Sequence, residues 1–115
     1  MTAAPAFDEL IHQSTRFRIC AALDSSVEME FALLREVVEV SDSLLSKQLK
    51  ALAEAGYVST RKQKQAVGRP RTWVALTDPG RAAFQGHLAA LRQIVSAPLD
   101  AGSAVPKGRS APPAT

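Results

Sequence analysis

VSDSLLSKQLKALAEAGYV, the stretch from Val40 to Val58, decides how this chain folds. Ser41 can lend its hydroxyl to the first amides of a helix, and Asp42 puts negative charge where the helix dipole favours it. Gly56 supplies the left-handed residue that ends such a helix. Between these marks Leu45, Leu49 and Leu52 recur at i, i+4 and i+7 and must share one buried side. At about 100° per residue, Ser43, Lys47, Lys50 and Glu54 fall on the opposite side, with Leu44, Ser46 and Gln48 at its flanks. The spacing predicts a helix over 42–55 that packs one face and offers the other to a partner.

C-terminal to this helix, residues 57–62 and 72–77 alternate like strands, and KQAVGRPRTW (Lys64 to Trp73) joins them. Gly68 and Pro70 provide turn chemistry, so the expectation is a hairpin whose tip carries Lys64, Arg69 and Arg71. A hairpin alone does not require those basic side chains. From Asp78 the period is helical again. Thr77 or Asp78 can cap, Pro79 suits the first turn, and Phe84, Leu88, Leu91 and Val95 form a coiled-coil-like stripe too long for so small a body to cover.

N-terminal to Val40, Phe7, Leu10 and Ile11 and then Phe17, Ile19, Cys20 and Leu23 recur at helical spacings, interrupted at His12-Gln13-Ser14. That predicts a short first helix, then a second over 15–23 capped by Ser14. Asp24-Ser25-Ser26 reads as a turn, 27–29 as a short strand, and Phe31, Leu34, Val37 and Val38 as a further helix over 31–38. Residues 97–115 are rich in Pro, Gly, Ala and Ser, and are expected to be disordered. The division is thus one domain over 1–96, with a helix from about 78 to 96, and a tail over 97–115.

The net charge of +3 conceals an asymmetry: residues 1–40 carry three basic and seven acidic side chains, residues 41–75 seven basic and two acidic. Concentrated positive charge is the electrostatic footprint expected for a polyanion. The 115 residues allow one modest core, and no run approaches the roughly 18 apolar residues of a membrane span. The N-terminus lacks the pattern of a secretory signal, so the expected location is the cytoplasm. Cys20 alone makes neither an internal disulfide nor a multi-cysteine metal site, and reads as a small buried hydrophobe. No metal site and no cofactor are expected. An enzyme has little support, with no phosphate-binding glycine loop, no paired carboxylates, and only His12 and His87 as near-neutral bases. His12 reads as structural, and His87 falls beside the proposed seam, where a pH-sensing role is conceivable.

Helix, helix, short strand, helix, capped helix, basic-tipped hairpin, long helix is the order of a winged helix-turn-helix. The fold class expected is therefore mainly α with a small β-hairpin (α+β). Three stretches, RFRICAAL (16–23), SLLSKQLKALAEAGYV (43–58) and GRPRTWVALTDPGRAAF (68–84), resemble small winged-helix transcriptional regulators of the MarR/ArsR-like group. The resemblance covers roughly residues 7–96. It implies a homodimeric regulator, a repressor in the simplest case, whose terminal helices pair the subunits and which binds a pseudo-palindromic operator in double-stranded DNA.

Carried onto this chain, helix 42–55 enters the major groove with Ser43, Leu44, Ser46, Lys47 and Gln48 at the base edges, and the wing over 62–72 reaches backbone or minor groove. Leu44 departs from the polar residue usual there, although a leucine can contact a thymine methyl. Lys50, Arg61, Lys62, Lys64, Arg69 and Arg71 are expected on phosphates. The dimer interface is expected to use Phe7, Leu10, Ile11, Phe84, Leu88, Leu91 and Val95, with any small-molecule effector bound between subunits. The alternatives are a winged helix used for protein–protein contact and a nonspecific architectural DNA binder.

Overall fold

The computed structural model describes residues 3–101. Its elements follow as α1 (Ser14–Asp24), β1 (Met29–Glu30), α2 (Phe31–Val38), α3 (Asp42–Glu54), β2 (Val58–Gln63), β3 (Arg71–Leu76) and α4 (Asp78–Ala101). Strand β3 lies between β1 and β2, antiparallel to both, with Met29 opposite Val74 and Arg61 opposite Trp73. This is a winged helix-turn-helix, mainly α with a small antiparallel sheet.

Apolar periodicity explains the core. Ile19, Cys20 and Leu23 of α1, Leu34 and Val38 of α2 and Leu45, Leu49 and Leu52 of α3 meet beneath the sheet residues Val58, Val74 and Leu76. Burial pushes the Cys20 thiol up to about 12, as suits a packing residue rather than a reactive one. Ser41 caps α3 by accepting the Leu44 N–H at 3.1 Å, and Gly56, at φ +82°, lets the chain leave the helix for β2. Thr77 caps α4: its Oγ1 accepts the Gly80 N–H at 3.0 Å and donates to the Gly56 carbonyl at 2.6 Å. One threonine thus ties the end of α3 to the start of α4.

The N-terminus corrects the sequence reading. No helix precedes α1 among the described residues; the backbone is irregular to Asp8 and turns over 9–12. Asp8 draws the chain round, its Oδ1 accepting the Ile11 N–H at 2.9 Å and its carbonyl the His12 N–H at 3.0 Å, so the apolar residues reach the core without helical bonds. The cap of α1 also moves back one residue, because the Gln13 side chain accepts the Arg16 N–H at 2.9 Å and Ser14 becomes the first helical residue. At the other end α4 runs on to Ala101 rather than stopping at 96. The rest of the expected tail, 102–115, lies outside the described residues. No helix among the described residues is long and apolar enough to cross a membrane.

Candidate nucleic-acid interface

Two elements frame the surface in question. Helix α3 is held from behind by its leucines and from the side by Arg35 of α2, whose Nε lies 2.8 Å from the Asp42 carboxylate. Its outer side chains Ser43, Leu44, Ser46, Lys47 and Lys50 are exposed. Gln48 is not among them. It is 8 % exposed, and its Oε1 accepts the Arg16 Nη1–H at 2.6 Å while Arg16 Nε donates to the Leu10 carbonyl at 2.6 Å. The helical register accounts for this correction, since Gln48 stands three residues after Leu45 and four before Leu52, within the buried stripe.

The wing sorts its basic residues by strand parity. Lys62 shares the face of Thr60 and Thr72 and looks toward α3. With Lys50, Ser46 and Phe31 these residues line an open groove of about 430 Å³ between helix and wing. Arg61 emerges on the other face beside its cross-strand partner Trp73. There its guanidinium stacks over the indole at 5.6 Å and pairs with Glu28, the Nε lying 3.1 Å from Oε2. That hydrogen bond holds the Glu28 carboxyl below its ordinary range and raises Arg61. Arg71 is likewise engaged, with Nη1 at 3.7 Å from Glu30 and Nε donating to Gln65 Oε1 at 3.1 Å. Gln65 also donates to the Arg69 carbonyl at 2.7 Å and so closes the tip, where Gly68 turns at φ +91°. Among the described residues Lys47, Lys50, Lys62, Lys64 and Arg69 take part in no ion pair.

The seven residues expected at a dimer interface do not form one surface. Ile11 at 0 % and Phe84 at 4 % exposure belong to the monomer's own core, which Leu10 and Leu88 also flank. Leu91 is half-buried, whereas Phe7 and Val95 are exposed. Ile94, 57 % exposed, was not singled out by the 4-3-4 stripe. It lies with Pro5, Phe7, Ala90 and Gln93 around a shallow hollow on α4. His12 and His87 meet on the inner side of this segment, their Nδ1 and Nε2 atoms 3.1 Å apart. No group of three or more histidine, cysteine or acidic side chains among the described residues could hold a metal ion.

Comparison with known proteins agrees with this architecture. The winged helix DNA-binding domain family matches residues 15–95. An uncharacterized protein of Methanocaldococcus jannaschii is 31% identical over 86 residues, 75% of this chain and 92% of that one. A transcriptional regulator homologue from Pyrococcus horikoshii superposes with a TM-score of 0.71 at 23% identity, over 78% of this chain and 88% of that one. A MarR family transcriptional regulator from Silicibacter pomeroyi gives 0.55 at 25% identity, over 77% and 61%. The chain belongs to the winged-helix DNA-binding domain family, in the fold of MarR-type transcriptional regulators.

Proposed function

We propose that the chain is a homodimeric, sequence-specific regulator of transcription, a repressor that acts by occupying its operator. The observation that carries this reading is that Lys50 of α3 and Lys62 of the wing line one groove, with Lys47 exposed on the same outer side of α3. A helix of this kind fits the major groove of B-DNA, with Ser43, Leu44, Ser46 and Lys47 at the base edges. Lys50, Lys62, Lys64 and Arg69 take phosphates. Arg61 and Arg71 are partnered by Glu28 and Glu30 and serve to hold the wing in place. Gln48, occupied by Arg16, makes no base contact in this reading.

Two copies pair through the exposed apolar side of α4 and the N-terminal segment, at Phe7, Leu91, Ile94 and Val95, and a small apolar effector would enter at the same seam. Two-fold symmetry then calls for a pseudo-palindrome with half-sites about 10 base pairs apart. Selection of bound duplexes from a random library at two salt concentrations tests the reading. Six to ten phosphate contacts per dimer lower affinity by roughly 10³ to 10⁵ between 50 and 200 mM salt. A flat salt response rules out the basic surface. Salt-sensitive binding without an enriched sequence points to an architectural role, and no binding at all to a protein-interaction module.

A further inference from the structure

The polar cluster on the inner side of the N-terminal segment lies apart from the DNA face. His87 on α4 is fully buried, and its Nδ1 accepts the backbone N–H of Asp8 at 3.0 Å. An imidazole nitrogen that accepts carries no proton, which assigns the proton to Nε2. That N–H points at His12 Nδ1, 3.1 Å away, which must then be an acceptor too. Phe7 covers the pair, with ring centroids 4.7 Å from both imidazoles. The neighbouring bonds pull the same way: Ala6 N–H donates to the Gly86 carbonyl at 2.9 Å, and the Tyr57 hydroxyl donates to Asp8 Oδ2 at 2.6 Å. The three ring nitrogens that face the Asp8 amide and one another are all engaged, so one more ring proton finds no matching partner there. At His87 Nδ1 it would face the Asp8 N–H, and at His12 Nδ1 the His87 Nε2–H.

We propose that the His12–His87 pair is a proton-operated latch, which fastens residues 6–12 across α4 while both rings are neutral and releases them when the pair takes up a proton. Release carries Phe7 away from the face on which the second copy docks, so operator binding weakens as pH falls. The consequence for DNA rests on the homodimeric reading above; the latch does not.

The charged and titratable groups around the pair are Asp8 and Glu9 on the N-terminal segment, Arg16, Arg18 and Cys20 on α1, and Tyr57 after α3. On α4 the positions three and four residues to either side of His87 are Ala83, Phe84, Ala90 and Leu91, none of them charged. Burial and then His12 push the His87 pKa down, against the opposite pull of Asp8 and Glu9. The released form therefore binds more protons than the latched form. Latching is complete above the free-imidazole value of about 6.5 and is lost as pH drops below it.

The chain has two histidines, so imidazole nitrogen shifts of the full-length protein follow both rings between pH 7.5 and 5. The expected result is an Nε2–H tautomer at His87 at pH 7.5. Hydrogen-exchange protection of the Ala6 and Asp8 amides should then fall at least tenfold over the pH interval in which the His87 ring becomes charged. Affinity for the selected operator at fixed salt should drop about tenfold from pH 7.5 to 5.5, the equivalent of one unit of differential protonation. Added positive charge alone would strengthen attraction to DNA, so the sign is diagnostic. His87→Gln, which cannot titrate, should flatten the response. Should that variant not fold, the titration of the unmodified chain still decides. A His87 ring charged at pH 7.5, or one that titrates with no change at the Asp8 amide, overturns the latch. Titration with amide release but equal operator affinity at both pH values overturns its control of DNA binding. The same release in a chain that binds no duplex at any pH supports the latch and overturns the regulator reading instead.

Discussion

Adjacent residues on the wing face opposite ways, as period-two geometry requires. Arg61 and Lys62 look alike in sequence, but one faces Glu28 and Trp73 and the other the groove beside α3. Lys62→Ala should weaken binding to all DNA sequences alike and reduce the salt slope by about one per protomer. Arg61→Ala should leave that slope unchanged and release the Glu28 carboxyl upward toward its ordinary range, because the arginine hydrogen bond is what holds it down. Salt titrations of the two variants, with carboxyl titration of Glu28 by NMR, check both. Equal loss of slope would place Arg61 on phosphate as well. The parity was readable in the alternation of residues 58–63. Glu28 and Glu30 as partners were not, since they lie some 33 residues or more from their arginines, and no local pattern reports a pairing made through the sheet.

At the scale of elements, periodic apolar spacing made α2, α3, the hairpin and α4 legible, because each buries one regular face. The segment over 7–12 misled because its apolar residues sit at helical spacing while Asp8 turns the backbone through side-chain bonds. The turn between α2 and α3 was equally hidden. Glu39 adopts φ 62°, a left-handed conformation that glutamate does not advertise. Left-handed backbone costs an L-residue about 1–2 kcal/mol, and glycine gives back part of this in chain entropy, about 0.5–1 kcal/mol. Glu39→Gly should therefore raise stability by up to about 1 kcal/mol in urea denaturation, and a loss would show that the Glu39 side chain matters more than its backbone. Gly80 is the reverse case. A Cβ there would lie 2.0 Å from the Tyr57 carbonyl oxygen, which also accepts the Thr77 N–H at 3.0 Å. Gly80→Ala must push α4 off the end of β2 and should cost at least about 1–3 kcal/mol by the same measurement. An unchanged midpoint would mean the two elements are free to separate.

For the molecule as a whole, the question is which apolar residues serve the monomer and which a second copy. Phe84 and Ile94 both stand on α4, yet Phe84 is 4 % exposed beside Phe17 and Ile94 is 57 % exposed next to Phe7. A one-dimensional stripe cannot make that distinction, because the N-terminal segment covers part of the helix and leaves the rest bare. Ile94→Glu places a carboxylate in the proposed seam without touching the monomer core. Light scattering at micromolar concentration should then give the monomer mass, with the far-UV circular dichroism of the parent. Losing the link between two half-site contacts should reduce operator affinity by roughly 10² to 10⁴, the range that multivalent attachment provides. Phe84→Ala should act differently, lowering stability by about 3–5 kcal/mol through the cavity it leaves. If Ile94→Glu stays dimeric and binds the operator as the parent does, the subunits pair through another face, and the length of α4 beyond Leu91 needs a different partner.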